Sequence, residues 1–236
     1  MSGFEHADAK AVVIFADMSG YTALTEVHGD HRAAELADQF GSIATEVLGP
    51  GDALIKTIGD AVMVTAPDAH AALAYLTRLG EAARRTPGFP LVRAGLSEGP
   101  VIWRRGDIFG ATVNTAARLA GLAHGGQVAT TRDVASRACV PADLVRDIGS
   151  TTIRNVRAPV DVVIIDSGSS HQDHVDPVCR VHLSADARHS AATHEDRSYW
   201  FCSPLCAEQF VRRPQTYLPE GAALSALRDN AESPCC

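Results

Sequence analysis

The 236-residue chain contains no run approaching the roughly 20 consecutive apolar residues that a helix needs to cross a bilayer, so no membrane span is expected. Positive charge is also short: 21 basic residues against 28 acidic ones leave a formal charge of -7. Nucleic acids and anionic membrane surfaces both reward a basic face, so neither is an expected partner. A polyphosphate ligand would have to be held by a few local cations and metal ions. The N-terminal MSGFEHADAK is too acidic and polar for a signal peptide, which makes the cytoplasm the expected location. Internal repeats and low-complexity tracts are missing too. Cysteine is almost absent from the first 170 residues, where only Cys139 occurs, yet Cys179, Cys202, Cys206, Cys235 and Cys236 crowd the last 58. Half of the ten histidines, His171 to His194, fall in the same stretch. In a reducing compartment such clustered thiols read as metal ligands or redox groups rather than disulfide staples, and their placement divides the chain into two units.

The apolar run AVVIFADM (11–18) reads as a buried strand that delivers Asp17 at its C-terminal end. A helix over 31–48 follows, with Asp30 as its N-cap and Leu36, Phe40, Ile43 and Val47 on one stripe. DALIKTI and AVMVTA are two short strands joined at Gly59-Asp60, a tight-hairpin signal that puts Asp60 at the tip. A second amphipathic helix spans 68–85 with Asp68 as cap, two strands follow in PLVRAGLSEG and PVIW, and a third helix covers 112–123. Weaker strand and helix signals fill 127–166. This order predicts an α+β fold: a ferredoxin-like βαββαβ core whose antiparallel sheet is covered by helices on one face. SGSSHQDHVD has no apolar periodicity and reads as a linker.

Asp17 and Asp60 could converge if their strands are neighbours, and paired hard oxygens suit Mg2+ or Mn2+ on a triphosphate; an Asp at a Gly-Asp turn can equally be a turn residue. Asn114 and Arg118, four apart on the third helix, share one face and could orient and neutralise a phosphate, or form a solvated polar face.

Taken together, VVIFADMSGYTALTE, KTIGDAVMV, VRAGLSEGPV and GDIFGATVNTAARL resemble, in order, the motifs of the class III nucleotidyl cyclase catalytic domain over about 150 residues. The resemblance implies that Asp17 and Asp60 are the metal carboxylates, with the Met18 carbonyl as a further ligand and Ser19, Gly20 and Tyr21 under the triphosphate. It makes Lys56 and Asp107 the purine readers, whose donor-acceptor polarity fits adenine rather than guanine. Asn114 would orient the ribose, Arg118 would stabilise charge on the α-phosphate, and Arg154 would reach the terminal phosphates. ATP is the implied substrate, with two Mg2+ or Mn2+ ions per site, and a homodimer is the implied assembly, because one chain carries both halves of each site. The hairpin excursion of many cyclases is missing, since only Arg104 and Arg105 separate PVIW from GDIFG, and Asn155 stands where a glycine is common.

Cys179, Cys202 and Cys206 form C-x22-C-x3-C, a spacing that suits Zn2+ or another thiophilic metal, or three cysteines in a small core. Residues 175–218 resemble the YHS domain, also described as a TRASH-type heavy-metal module. That resemblance implies the three cysteines as ligands and Tyr199 to Phe201, Phe210 and Tyr217 as the surrounding core, with Arg180 where a small residue is usual. The fourth ligand is open among His182, His194 and the Cys235-Cys236 pair. The expected organisation is a cyclase domain over 8–166, a linker over 167–174, the metal-binding domain over 175–218 and a tail over 219–236. Two functions fit this reading: a metal-responsive adenylate cyclase, or a metal-binding, trafficking or sensor protein whose cyclase-like domain is catalytically silent and serves for dimerisation.

Overall fold

Strand β1 (Ala7–Met18) is the spine of the protein: β3 (Ala61–Ala66) pairs antiparallel along one edge and β4 (Val92–Arg104) along the other. The computed structural model describes residues 7–153, 159–166, 174–183 and 189–218. The main sheet runs β2-β3-β1-β4-β6-β8-β7, with β2 at Ala53–Ile58, β6 at Gln127–Thr131, β7 at Val145–Thr151 and β8 at Val160–Asp166. Its first four strands have the ferredoxin-like order. Every pairing is antiparallel except β4 with β6, and the short strand β5 (Asp107–Phe109) folds back on the end of β4.

Side chains alternate across β1, as the pleat demands. Val12, Ile14, Ala16 and Met18 enter the main core beneath the helices α2 (Asp30–Glu46) and α3 (Ala69–Arg85), whereas Val13 sits with Met63, Val101 and Ile108 on the opposite face. The Asp68 carboxylate accepts from the Ala71 amide at 2.8 Å and starts α3 as its sequence indicates. The helices are not confined to one face. Helix α4 (Ala111–Ala120) buries Ala116 beside Val13 and Met63, on the far side from α2 and α3. It lies so close to β4 that a Cβ on Gly95 would overlap the Ala116 carbonyl and the Ala120 nitrogen. Only glycine admits that approach, which the periodicity of α4 alone does not reveal.

The two strands expected in 90–103 are one, since β1 flanks β4 from Met18↔Val92 to Ala7↔Trp103 and carries it through Gly99-Pro100. A further helix, α1 (Tyr21–His28), precedes α2 and was not anticipated; Asp30 is the first residue of α2 rather than its cap. Eight residues with three β-branched side chains and no side-chain cap have little helical tendency of their own, so the buried Leu24 and other tertiary contacts must hold α1.

After α5 (Arg132–Arg137), β7 and β8, the C-terminal segment builds two small hairpins. β9 (His174–Val175) pairs with β10 (His182–Leu183), and β11 (Ser190–His194) with β12 (Arg197–Phe201). Helices α6 (Pro204–Arg212) and α7 (Pro214–Tyr217) follow. Phe210 packs against Tyr199 and Phe201 with tilted rings, its centroid 4.7 Å from Tyr199 and 5.2 Å from Phe201. Trp200, on the other side of its strand, is 43% exposed and does not belong to that core. Val178, Val181, Phe201 and Phe210 join the same apolar cluster as Met18, Leu24 and Phe89, so the segment is packed on the side of the main sheet that α2 and α3 cover. Most of the expected linker and the tail lie outside the described residues. Among those described, no helix is long and apolar enough to cross a membrane.

Candidate functional site

The end of β1 and the tip of the β2-β3 hairpin meet. Asp17 is in register with Ala61, and the Met18 amide donates to the Asp60 carbonyl at 3.1 Å, which places Asp60 beside the end of the spine strand. Burial pushes the Asp17 carboxyl up and the nearby Asp60 charge adds to this, while Arg93 opposes both. Arg93, on β4, is in register with Asp17 on β1 and donates two hydrogen bonds to it, Nε to Oδ1 at 2.6 Å and Nη2 to Oδ2 at 3.1 Å. Sequence reasoning missed Arg93; its position at the start of β4, opposite the end of β1, was the available signal. Past Met18 the chain turns: the Ser19 amide donates to the Leu91 carbonyl at 2.7 Å, Gly20 takes the left-handed conformation at φ 77°, and Tyr21 opens α1. Partial burial and the charges of Asp60, Asp30 and Asp38 raise the Tyr21 hydroxyl pKa.

A second group lies along β2, β5 and α4. Lys56 Nζ donates to Asp107 Oδ2 at 2.6 Å, uniting two residues 51 positions apart. This ammonium, together with the Ile108 amide on Oδ1 at 2.8 Å, holds the Asp107 carboxyl below its usual range. Asn114 and Arg118 are exposed on α4, one turn apart. Ile102 and Phe109, paired across β4 and β5, are 44% and 49% exposed, and Ile58 at the end of β2 is 46% exposed. Arg154 lies outside the described residues.

Comparisons with known proteins identify the family and the fold. Residues 5–140, more than half of the chain, match the Adenylate and Guanylate cyclase catalytic domain. The chain belongs to this family. A pH-sensitive adenylate cyclase of Mycobacterium tuberculosis is 39% identical over 119 residues, covering 50% of this chain and 30% of the relative. An adenylate cyclase of Streptomyces griseus is 39% identical over 120 residues, with the same 50% and 30% coverage. The chain thus spans under a third of the length of these relatives. Among solved structures, an adenylate/guanylate cyclase/hydrolase from Silicibacter pomeroyi superposes with a TM-score of 0.58 at 25% identity, covering 68% of this chain and 98% of that one. An adenylyl cyclase from P. aeruginosa gives 0.56 at 21% identity, with 68% and 95% covered, and shares the fold.

Outside this catalytic domain the C-terminal cysteines converge, and the fourth group among them comes from the cyclase domain itself. His28, at the end of α1, points Nε2 at Cys202 Sγ (3.5 Å) and Cys206 Sγ (3.6 Å). Cys202 Sγ lies 3.5 Å from Cys179 Sγ and 3.6 Å from Cys206 Sγ, and all four ligand atoms fall within 4.8 Å of one another. His182 and His194 are not in this group, and Cys235 and Cys236 lie outside the described residues; His194 instead packs edge-on against Phe210. Hydrogen bonds from the Cys179 and Cys206 thiols hold the Cys202 sulfur far below the usual thiol range, and the same contact drives Cys179 upward. Asp176, fully buried, organises the cysteine turns: Oδ1 accepts from the Val178 and Cys179 amides at 2.8 and 3.3 Å, and Oδ2 from the Cys202 amide at 2.8 Å. Burial raises its pKa, and the Cys202 and Val178 amides oppose the rise. No sequence signal singled out His28, which lies 174 residues before Cys202.

Proposed function

We propose that the chain is an adenylate cyclase, converting ATP to 3′,5′-cyclic AMP and pyrophosphate at sites formed between two copies. The observation that carries this reading is the Lys56–Asp107 ion pair, a donor and an acceptor joined on one surface beside exposed Asn114 and Arg118. Adenine offers a ring nitrogen to an ammonium and an exocyclic amine to a carboxylate; guanine presents the reverse polarity and would leave both protein groups unpaired.

The donor set at Asp17 and Asp60, hard carboxylate oxygens with the Met18 carbonyl adjacent, fits Mg2+ or Mn2+. Two such ions, when bound, supply a lowered pKa at the ribose 3′-hydroxyl and charge neutralisation on the triphosphate. The chain's own groups do the rest. Lys56 and Asp107 fix the purine, Asn114 orients the ribose so that its 3′-oxygen is in line with the α-phosphorus, and Arg118 stabilises the charge that builds there as pyrophosphate departs. The loop Ser19–Gly20–Tyr21 lies under the triphosphate, which the amides of Gly20 and Tyr21 at the start of α1 favour, and Arg154 contributes to its terminal end. Arg93 places one hydrogen bond on each Asp17 oxygen and leaves each a second lone pair for a metal, and its guanidinium lies where it can share its charge with an incoming phosphate.

A homodimer accounts for the exposure of Asn114 and Arg118 and for the apolar patch of Ile58, Ile102 and Phe109 around Lys56–Asp107. In that assembly the carboxylates of one protomer face the purine-reading pair of the other. The test is direct: purified protein with ATP or GTP and Mg2+ or Mn2+ should yield cyclic AMP and not cyclic GMP, with Asp17→Ala as control. Equal product from wild type and Asp17→Ala would leave a metal-binding protein with a silent cyclase-like domain. Lys56→Glu should abolish ATP use without conferring GTP use.

A further inference from the structure

We propose that His28, Cys179, Cys202 and Cys206 form a Cys3His site for a thiophilic d10 cation, Zn2+ foremost, and that filling it clamps helix α1 and the adjoining Ser19–Tyr21 loop. Four soft or borderline donors fit such an ion by chemistry, and their spacing fits it by size. A tetrahedron with metal-sulfur bonds of about 2.3 Å and a metal-nitrogen bond of about 2.05 Å has sulfur-sulfur edges of about 3.8 Å and sulfur-nitrogen edges of about 3.6 Å. The closest contacts are 3.5 and 3.6 Å for both kinds of edge, far longer than a disulfide bond. Cys179 and Cys206 are buried and Cys202 and His28 half-buried, so one side of the cluster remains open to an entering ion.

Each ligand is held by its element. Asp176 fixes the amides of Cys179 and Cys202, and Ser203 caps α6 by accepting from the Cys206 amide at 3.2 Å, which sets Cys206 in the first turn. Such supporting hydrogen bonds orient metal ligands in built sites.

The reach of the site follows from where α1 begins. His28 is its last residue and Tyr21, which closes the Ser19–Tyr21 loop, its first, and eight residues without a side-chain N-cap depend on anchors at their ends. The cysteine turn touches the front end as well: a side chain at Gly20 would meet Arg180 Cγ at 2.7 Å and the Cys179 carbonyl at 3.3 Å. The Arg180 carbonyl accepts from the Leu91 amide at 3.0 Å, and the Leu91 carbonyl in turn accepts from the Ser19 amide. His182 donates its amide to the Phe89 carbonyl at 3.2 Å, and Pro90 bridges Val181. An ion binding Cys179 and His28 together therefore ties both ends of α1 to one frame. Its effect on catalysis rests on the cyclase reading: an ordered loop holds triphosphate better, so occupancy raises the cyclase rate.

The test uses the full chain, reduced, stripped of metal and titrated with Zn2+ alone. Wild type should bind one ion per chain; His28→Ala should weaken binding more than about tenfold, the least loss seen when even a ligand's support is removed, and His28→Cys should restore it. Zn2+ should slow amide exchange across residues 22–28 in wild type and His28→Cys but not in His28→Ala. At saturating Mg2+, Zn2+ should raise cyclic AMP formation about fivefold or more, the scale of typical coupling between sites, in wild type and His28→Cys but not in His28→Ala. Unchanged Zn2+ affinity in His28→Ala, or exchange in α1 indifferent to Zn2+, would overturn the site. Binding and protection without any cyclic AMP would uphold the clamp and refute the catalytic reading instead.

Discussion

Gly95→Ala is a demanding test of how α4 is seated. The added methyl would overlap the Ala116 oxygen and the Ala120 nitrogen and would come 2.8 Å from Ala120 Cα. All three are backbone atoms of a helix, so no side-chain rotation relieves the overlap. Carbon atoms rest at about 3.5 to 4.0 Å, so α4 must retreat by about 1 Å along its length. Overpacking costs of about 3 kcal/mol or more are expected, since the displaced helix also loses the fit of Ala116 against Val13 and Met63. For a chain of this size that lowers the melting temperature by about 6 to 12 °C. Asn114 and Arg118 ride on α4, and a shift of about 1 Å can cost about 100-fold in rate, so cyclic AMP formation should fall by that order well below the melting temperature. Gly80→Ala supplies the contrast: within α3 its nearest neighbour is Arg84 Nη1 at 3.7 Å, and the substitution should stabilise by about 0.5 to 1 kcal/mol. Differential scanning calorimetry with parallel rate measurements reads both. A Gly95→Ala protein that melts with wild type would refute the contact between α4 and β4.

Three further outcomes follow from buried polar groups and charges. Asp176→Ala leaves three amides without their acceptor, at about 1 to 3 kcal/mol each, and exchange across the described residues of 174–218 should accelerate before that of the main sheet. Arg78→Ala removes the guanidinium that reaches both the Val47 carbonyl (2.9 Å) and Asp52, whose side chain is only 1% exposed; unfolding in urea should show a loss of about 2 to 3 kcal/mol, and an unchanged midpoint would exclude the pair. The Lys56–Asp107 pair depresses the folded-state Asp107 pKa, so its small contribution is complete above the usual carboxylate value near 3.8 and disappears as pH falls through the lower folded value. An NMR titration of the Asp107 carboxyl should therefore show a midpoint below 3.8 that rises in Lys56→Met.

Local signals carried much of the architecture. A carboxylate closing an apolar run, Gly-Asp between two short strands and Asp68 before a striped helix each name their element because backbone geometry and capping are decided within a few residues. The Lys56 and Asp107 roles came from motif order, and the fold sets those two side chains in contact. What stayed hidden depends on distant partners. Helix α1 has weak intrinsic propensity and exists through tertiary support; the face that α4 covers depends on the missing side chain of Gly95; β4 passes through Pro100 because β1 lies alongside it. His28 could not be read as a ligand from its neighbours, since the cysteines that give it meaning lie more than 150 residues further along.

The apolar cluster that runs without a break from Leu24 and Phe89 into Val178, Val181 and Phe210 bears on how such a protein can be taken apart. Scission after Asp166 would strip a hydrophobic cover from the base of the Ser19–Tyr21 loop, leaving a sticky remnant rather than a tidy fragment. The cysteine-bearing portion therefore behaves as a keystone of the cyclase-family domain, and transplanting it onto another member of the family would demand that the recipient's α1 and β4 entrance be recut to match.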